Sequence, residues 1–172
     1  MLETAALVVS TLIFTLSAVR KARDLISPTG HALMGSGKLY PGWLLPLALV
    51  HEIAMLLLLH LERPLGIVLT FAFIGGIIHA QASPGGPYEK AGRKALIPLA
   101  IVVGSAIALS LTYSPASVAA GSFSQRYYLD KIGPAGMLET GAAAVIGGFA
   151  FGAWASSLDP LGEARFEARK KD

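Results

Sequence analysis

Five long apolar segments constrain the fold of this chain more than any other feature. Their ranges are 2–19, 41–61, 64–82, 95–113 and 133–158. A helix needs about 20 mostly apolar residues to cross a bilayer, so each segment is long enough, or nearly so, to span a membrane. The sequence therefore predicts an all-α, polytopic membrane protein. We expect a single five-helix transmembrane domain over residues 1–158 and a charged tail over residues 159–172.

The composition agrees with a surface that faces lipid. Hydrophobic residues make up 53% of the chain, charged residues make up 15%, and the mean hydropathy is +0.59. Soluble domains carry about 25% charged residues, because their surface must meet water. With so few charges, most of the surface of this chain must contact membrane lipid or other membrane subunits.

Lysine and arginine are divided unequally between the two sides of the predicted bundle. Eleven lie after the first span, between the third and fourth spans, and in the tail, whereas three lie on the opposite side. Because basic loops remain in the cytoplasm, this split predicts an outer N-terminus and an inner C-terminus. The membrane would be a bacterial cytoplasmic membrane or an organellar inner or thylakoid membrane. Topology also explains the net charge of +3, so we expect no nucleic-acid partner.

Several classes of chemistry are excluded by residues that the chain lacks. It contains no cysteine, which rules out disulfides, thiol catalysis and thiolate metal sites on this chain. Its Gly35-Ser36-Gly37-Lys38 run does not have the spacing of a phosphate-binding loop. Glu3 lies at the start of the first apolar segment and basic residues follow the segment, which is the reverse of the charge order of a secretory signal. We therefore expect a retained first helix.

The adjacent residues His51 and Glu52 near the middle of the second span are the main candidates for chemistry. An ionisable side chain at the bilayer centre costs about 2.5–3.5 kcal/mol on insertion scales, so its presence needs a reason. One reading is a catalytic or proton-handling role. The other is a structural hydrogen bond to a neighbouring helix. Under either reading we expect the Glu52 side chain to face the bundle interior or a partner and not lipid, because a lipid-facing carboxylate at the membrane centre is too costly. The sequence leaves both readings open.

Histidines also raise the question of a cofactor, with His51 and His79 as the candidate ligands. Their predicted depths in the membrane differ by about 10 Å at a rise of 1.5 Å per residue, which disfavours one haem held by both. A pigment bound by a single histidine stays open. Glu52 and Glu139 could approach each other, but a di-metal site needs further paired ligands, so we predict no metal.

Small residues recur every four positions in the last two spans. In the fifth span they are Gly136, Thr140, Ala144, Gly148, Gly152 and Ser156, and in the fourth they are Ala100, Gly104, Ala108 and Thr112. Such ridges let helix backbones approach closely in lipid, so they predict packing faces. The fourth span is the first candidate neighbour for the fifth. A partner subunit or a flat cofactor is the second.

The sparse polar residues of the first four spans follow a familiar order. Gly37-Lys38-Leu39, then His51-Glu52 in a leucine-rich second span, then a third span ending in His79, resembles the DoxX-like membrane proteins over about residues 2–113. The resemblance implies a four-helix core, to which the fifth span and the segment 114–132 are additions. It also implies that Lys38, Glu52 and His79 are the family's polar residues, and that quinone-linked redox subunits are among the relatives.

Three functions follow as hypotheses. The leading one is a non-catalytic accessory subunit of a larger, bioenergetic membrane complex, because the predicted loops are small and no cofactor motif is present. The second is a DoxX-like, quinone-linked oxidoreductase component in which Glu52 or His51 handles a quinone proton. The third is a small proton or solute transporter. A quinone or a pigment at the helix surface, and lipid, are the candidate ligands.

Overall fold

A computed structural model describes residues 1–26, 43–82, 92–114, 122–126 and 131–158. Five helices account for most of them: α1 (Leu2–Ile26), α2 (Leu44–Leu61), α3 (Arg63–Ala82), α4 (Leu96–Leu111) and α5 (Pro134–Ser157). A 3-10 helix, Gly92–Ala95, precedes α4, and a single helical turn, Phe123–Arg126, precedes α5. No strand occurs in these ranges, and all five long helices are apolar enough to span a membrane. The predicted five-helix membrane fold is confirmed.

The first helix is longer than its apolar segment. We predicted a span that stops at Val19, but α1 continues for a further two turns to Ile26. Lysine and arginine are good helix formers, so the basic residues that end the apolar run do not end the helix. The extension places Lys21 inside the bundle, where its side chain is buried. This position matters for the candidate site.

Four of the helices form a ring. α1 packs against α2 and α4, and α3 closes the ring by packing against the same two helices. Glu62 alone separates α2 from α3, and Pro64 in the first turn of α3 fits where a helix needs no amide donor. The fifth helix lies outside the ring against α3, with a smaller contact to α4. The fully buried side chains of the core include Phe14, Met55, Leu59, Ile67, Ile74, Leu109 and Met137.

Glycines bring α5 and α3 into backbone contact. A Cβ atom on Gly148 would lie 1.8 Å from the carbonyl oxygen of Ala72, and one on Gly75 would lie 2.0 Å from that of Val145. Neither position has room for a side chain. The neighbour of the glycine ridge is therefore α3, and the choice of the fourth span as the first candidate was wrong. The reason is that α3 contributes a complementary glycine, Gly75, at the crossing point.

The other ridge residues have different surroundings. Gly152 lies against the His79 side chain, whereas a Cβ atom on Gly136 would contact only Ile132, close by on its own chain segment. Gly104 is exposed, and a Cβ atom there would meet nothing within 4 Å. Ala108 and Ala144 are partly buried against the core. The small residues of α4 therefore do not form the close backbone contact that those of α5 form.

One end of the bundle is held together by polar contacts. The Arg63 guanidinium forms an ion pair with the carboxylate of Glu3. Thr11 and His60 are hydrogen-bonded at 3.2 Å. These contacts place the start of α1 beside the α2–α3 turn, as an antiparallel bundle requires. Which side of the membrane this end occupies stays a prediction, and the charged tail lies outside the described residues.

Candidate functional site

Glu52 points into the four-helix ring. Its side chain is completely buried, and α2 directs it toward α1 and away from the lipid-facing surface. The interior position that the sequence predicted for this carboxylate is confirmed. Glu139 lies on the exposed face of α5, so the two carboxylates do not share a site. Among the described residues, no group of three or more potential metal-ligating side chains is present.

The partner of Glu52 is Lys21 of α1. Their Nζ and Oε1 atoms are 2.5 Å apart, and the lysine side chain is only 3% exposed. Ser17 lies one turn earlier on α1 and connects the two charges. Its hydroxyl donates a hydrogen bond to Oε1 of Glu52 at 2.7 Å and accepts one from Lys21 Nζ at 2.7 Å. The three residues form a closed polar cluster, which we call the Lys21 cluster.

The cluster satisfies one carboxylate oxygen more completely than the other. Oε1 of Glu52 accepts from both Lys21 and Ser17, while the buried Oε2 has no hydrogen-bond donor among the described residues. The Lys21 ammonium also lies 5.3 Å from the centre of the Phe73 ring, within range of a cation–π interaction. Buried charges need such compensation because desolvation is costly. The arrangement supports the structural reading of Glu52.

Sequence reasoning missed Lys21 because it treated every lysine and arginine as an interfacial charge. A signal was available in the spacing of α1. The buried residues Ser10, Phe14, Ala18 and Lys21 recur at intervals of three or four, so they share one helix face. Lys38, the basic residue suggested by the DoxX-like resemblance, lies outside the described residues.

His51 takes part in a different set of contacts from its neighbour Glu52. Its Nε2–H donates a hydrogen bond to the carbonyl oxygen of Leu69 at 3.1 Å, which joins α2 to α3. The imidazole also stacks on the Phe73 ring, with 5.5 Å between centroids and 20° between planes. In a neutral ring with its proton on Nε2, the second nitrogen, Nδ1, is a hydrogen-bond acceptor. The hydrogen bond to Leu69 and the stacking on Phe73 together orient the ring.

His79 belongs to the contact between α3 and α5. Its ring forms a T-shaped contact with the Phe149 ring at 5.2 Å between centroids, and its side chain packs over Gly152. It does not line the apolar groove between α2 and α5 that His51 lines. The structure thus places the two candidate cofactor ligands in separate surroundings.

An apolar groove of about 450 Å³ lies between α2 and α5, with α3 as its floor. Small residues form much of the floor, including Ala72, Gly76 and Ala80. Its polar lining residues are His51 on α2 and Gln81 in the last turn of α3. At one end, the rings of Trp43 and Trp154 are 6.3 Å apart and Phe151 packs beside Trp154. We call this feature the α2–α5 groove.

Comparison of the chain with known protein families, with curated proteins and with solved structures gives no match. The DoxX-like resemblance accordingly stays an expectation.

Proposed function

We propose that this chain is an accessory membrane subunit of a quinone-linked, bioenergetic assembly, and that it holds the quinone in the α2–α5 groove. The observation that carries the proposal is the groove itself. It combines an almost wholly apolar lining with an oriented imidazole, that of His51. Binding sites for small molecules typically have this composition, in which a few polar groups fix the orientation of an apolar ligand.

The chemistry of a quinone matches the two parts of the groove. A quinol hydroxyl can donate a hydrogen bond to the Nδ1 acceptor of His51, and the flat head group fits beside the stacked His51 and Phe73 rings. The isoprenoid tail would run over the small residues of α3. In this proposal a partner redox subunit exchanges electrons with the quinone. The chain itself binds and orients the ligand and is not the catalyst.

Quinone binding can be measured with the tryptophans of the protein. The chain has two, Trp43 and Trp154, and both lie at one end of the groove. Titration of the purified protein with decylubiquinone should quench their fluorescence to saturation. Gly76→Leu fills the groove and should abolish saturable quenching, because Gly76 lines its floor and a Cβ atom there would meet only the Gly148 carbonyl oxygen, at an ordinary contact distance of 3.9 Å. Gly104→Leu makes the same change on α4, away from the groove, and should bind normally.

The role of His51 can be tested separately. His51→Phe keeps a ring that can stack on Phe73 but removes the nitrogen atoms. Loss of one hydrogen bond, worth about 0.5–1.5 kcal/mol, should weaken binding roughly twofold to tenfold. Equal affinity of Gly76→Leu, Gly104→Leu and the unmodified protein would refute the groove as the quinone site.

Association with a complex requires its own measurement. The accessory role predicts that the native protein co-migrates with a larger redox assembly on mild extraction from the membrane. Migration as a free subunit, combined with solute-dependent proton flux in liposomes, would instead favour the transporter hypothesis.

A further inference from the structure

A second cavity adjoins the α2–α5 groove and shares with it the α3 residues Phe73, Ile77 and Gln81. It has a volume of about 330 Å³ and lies between α1, α3 and α4. Most of its lining is apolar, with Phe14, Leu99 and Val102 among the residues that form it. Ser17, Arg20, Lys21 and Gln81 are its polar lining residues. We call it the α1–α4 cavity.

Positive charge is concentrated where this cavity meets the end of the bundle. Lys21 is neutralised by Glu52, but the adjacent Arg20 lines the cavity and is exposed. Pro98 of α4 lines the same cavity, and Arg93 and Lys94 are exposed in the 3-10 helix one turn before it. Arg20 therefore lines the cavity from α1, and two further exposed cations precede α4, the helix that contributes Pro98 to it. This is the end of the bundle that the charge count assigns to the cytoplasm.

We propose that the α1–α4 cavity binds an anionic phospholipid. The phosphate group would contact Arg20, with Arg93 and Lys94 beside it, and one acyl chain would enter the apolar part of the cavity along Leu99 and Val102. Basic pockets between transmembrane helices bind anionic head groups on the cytoplasmic side, where such lipids are abundant. The apolar lining distinguishes a lipid from free phosphate, because a free ion would leave that lining empty.

Native mass spectrometry of the detergent-solubilised protein tests this inference. Phosphatidylglycerol should remain bound at concentrations at which phosphatidylcholine with the same acyl chains does not. Arg20→Gln should weaken phosphatidylglycerol binding about fivefold, which corresponds to the roughly 1 kcal/mol that a basic residue contributes near an anionic surface. Lys131→Gln removes the same charge from an exposed residue just before α5, at the other end of the bundle, and should have no effect.

The acyl-chain part of the inference has a separate test. Leu99→Trp fills the cavity and should reduce phosphatidylglycerol binding, while circular dichroism checks that the helices are intact. A phosphatidylglycerol with a photoreactive acyl chain should label α1, α3 or α4 of the unmodified protein beside the cavity. Equal binding of both lipids, displacement by inorganic phosphate at equal concentration, or labelling confined to α2 or α5 would overturn the proposal. None of these outcomes depends on quinone binding.

Discussion

Replacing either member of the Lys21–Glu52 pair should destabilise the protein far more than replacing both. In Lys21→Met, the buried Glu52 carboxylate loses its counter-charge. In Glu52→Met, the buried Lys21 ammonium loses the carboxylate that faces it. Leaving one charge of a buried pair uncompensated costs about 3–5 kcal/mol. In the double variant neither charge remains, and two flexible apolar side chains fill the space. Replacement of a whole buried pair in this way is often neutral or stabilising.

Reversible unfolding in mixed micelles, followed by circular dichroism, gives the free energy of unfolding for each variant. We expect the two single changes to be strongly non-additive, with a coupling free energy of several kcal/mol between Lys21 and Glu52. The ion pair between Arg63 and Glu3 supplies a matched control. Its side chains are 29% and 38% exposed, so the same cycle there should give less than about 1 kcal/mol.

Two results would refute this reasoning. One is a Glu52→Met variant as stable as the unmodified protein, which would mean that Lys21 finds other compensation. The other is a double variant whose loss equals the sum of the single losses, which would mean that the two charges do not interact. A large coupling in the Glu3–Arg63 control cycle would point to a general effect of charge removal and not to the buried pair.

Three further predictions follow from the same contacts. Glu52→Gln should lower stability in the same unfolding assay, because glutamine retains a hydrogen-bond acceptor but supplies no charge to compensate Lys21. Gly148→Leu should destabilise the bundle by at least the roughly 1–3 kcal/mol that is typical of overpacking, as measured by thermal unfolding. Its control, Gly147→Leu, should be tolerated because a Cβ atom at Gly147 meets nothing within 4 Å. Single cysteines introduced at positions 3 and 165 should be labelled from opposite sides of the membrane, and labelling from the same side would contradict the five-span topology.

The number and positions of the spans could be predicted because bilayer thickness sets the length of an apolar helix. The same logic failed at Lys21, since hydropathy shows where an apolar run ends but not which face of the continuing helix is buried. Burial of Glu52 followed from the cost of exposing a carboxylate to lipid. Its partner could not be named from one sequence, because pairing depends on how α1 is rotated against α2.

Glycine spacing gave a similar partial result. A ridge that includes Gly148 predicts that another helix approaches closely, and the structure has such an approach. The identity of that helix depends on complementarity, which spacing within a single span does not encode. Gly75 provides it on α3, while Gly104 on α4 faces away from any neighbour in the described structure. The His51 contacts were also beyond the sequence, because the groove is formed by three helices.

The Lys21 cluster also accounts for how α2 selects its orientation in the ring. Residues 56–59 are four consecutive leucines, so this part of α2 offers lipid-like side chains in every direction. Such a surface distinguishes poorly between one rotation of the helix and another, because lipid and leucine are equally apolar. Turning α2 by one residue, about 100°, would move the Glu52 carboxylate away from Lys21 and break their buried ion pair. The ion pair therefore favours one rotation of α2, and that rotation also places His51 against α3, beside Phe73. In this way the buried Lys21–Glu52 pair orients the wall of the α2–α5 groove.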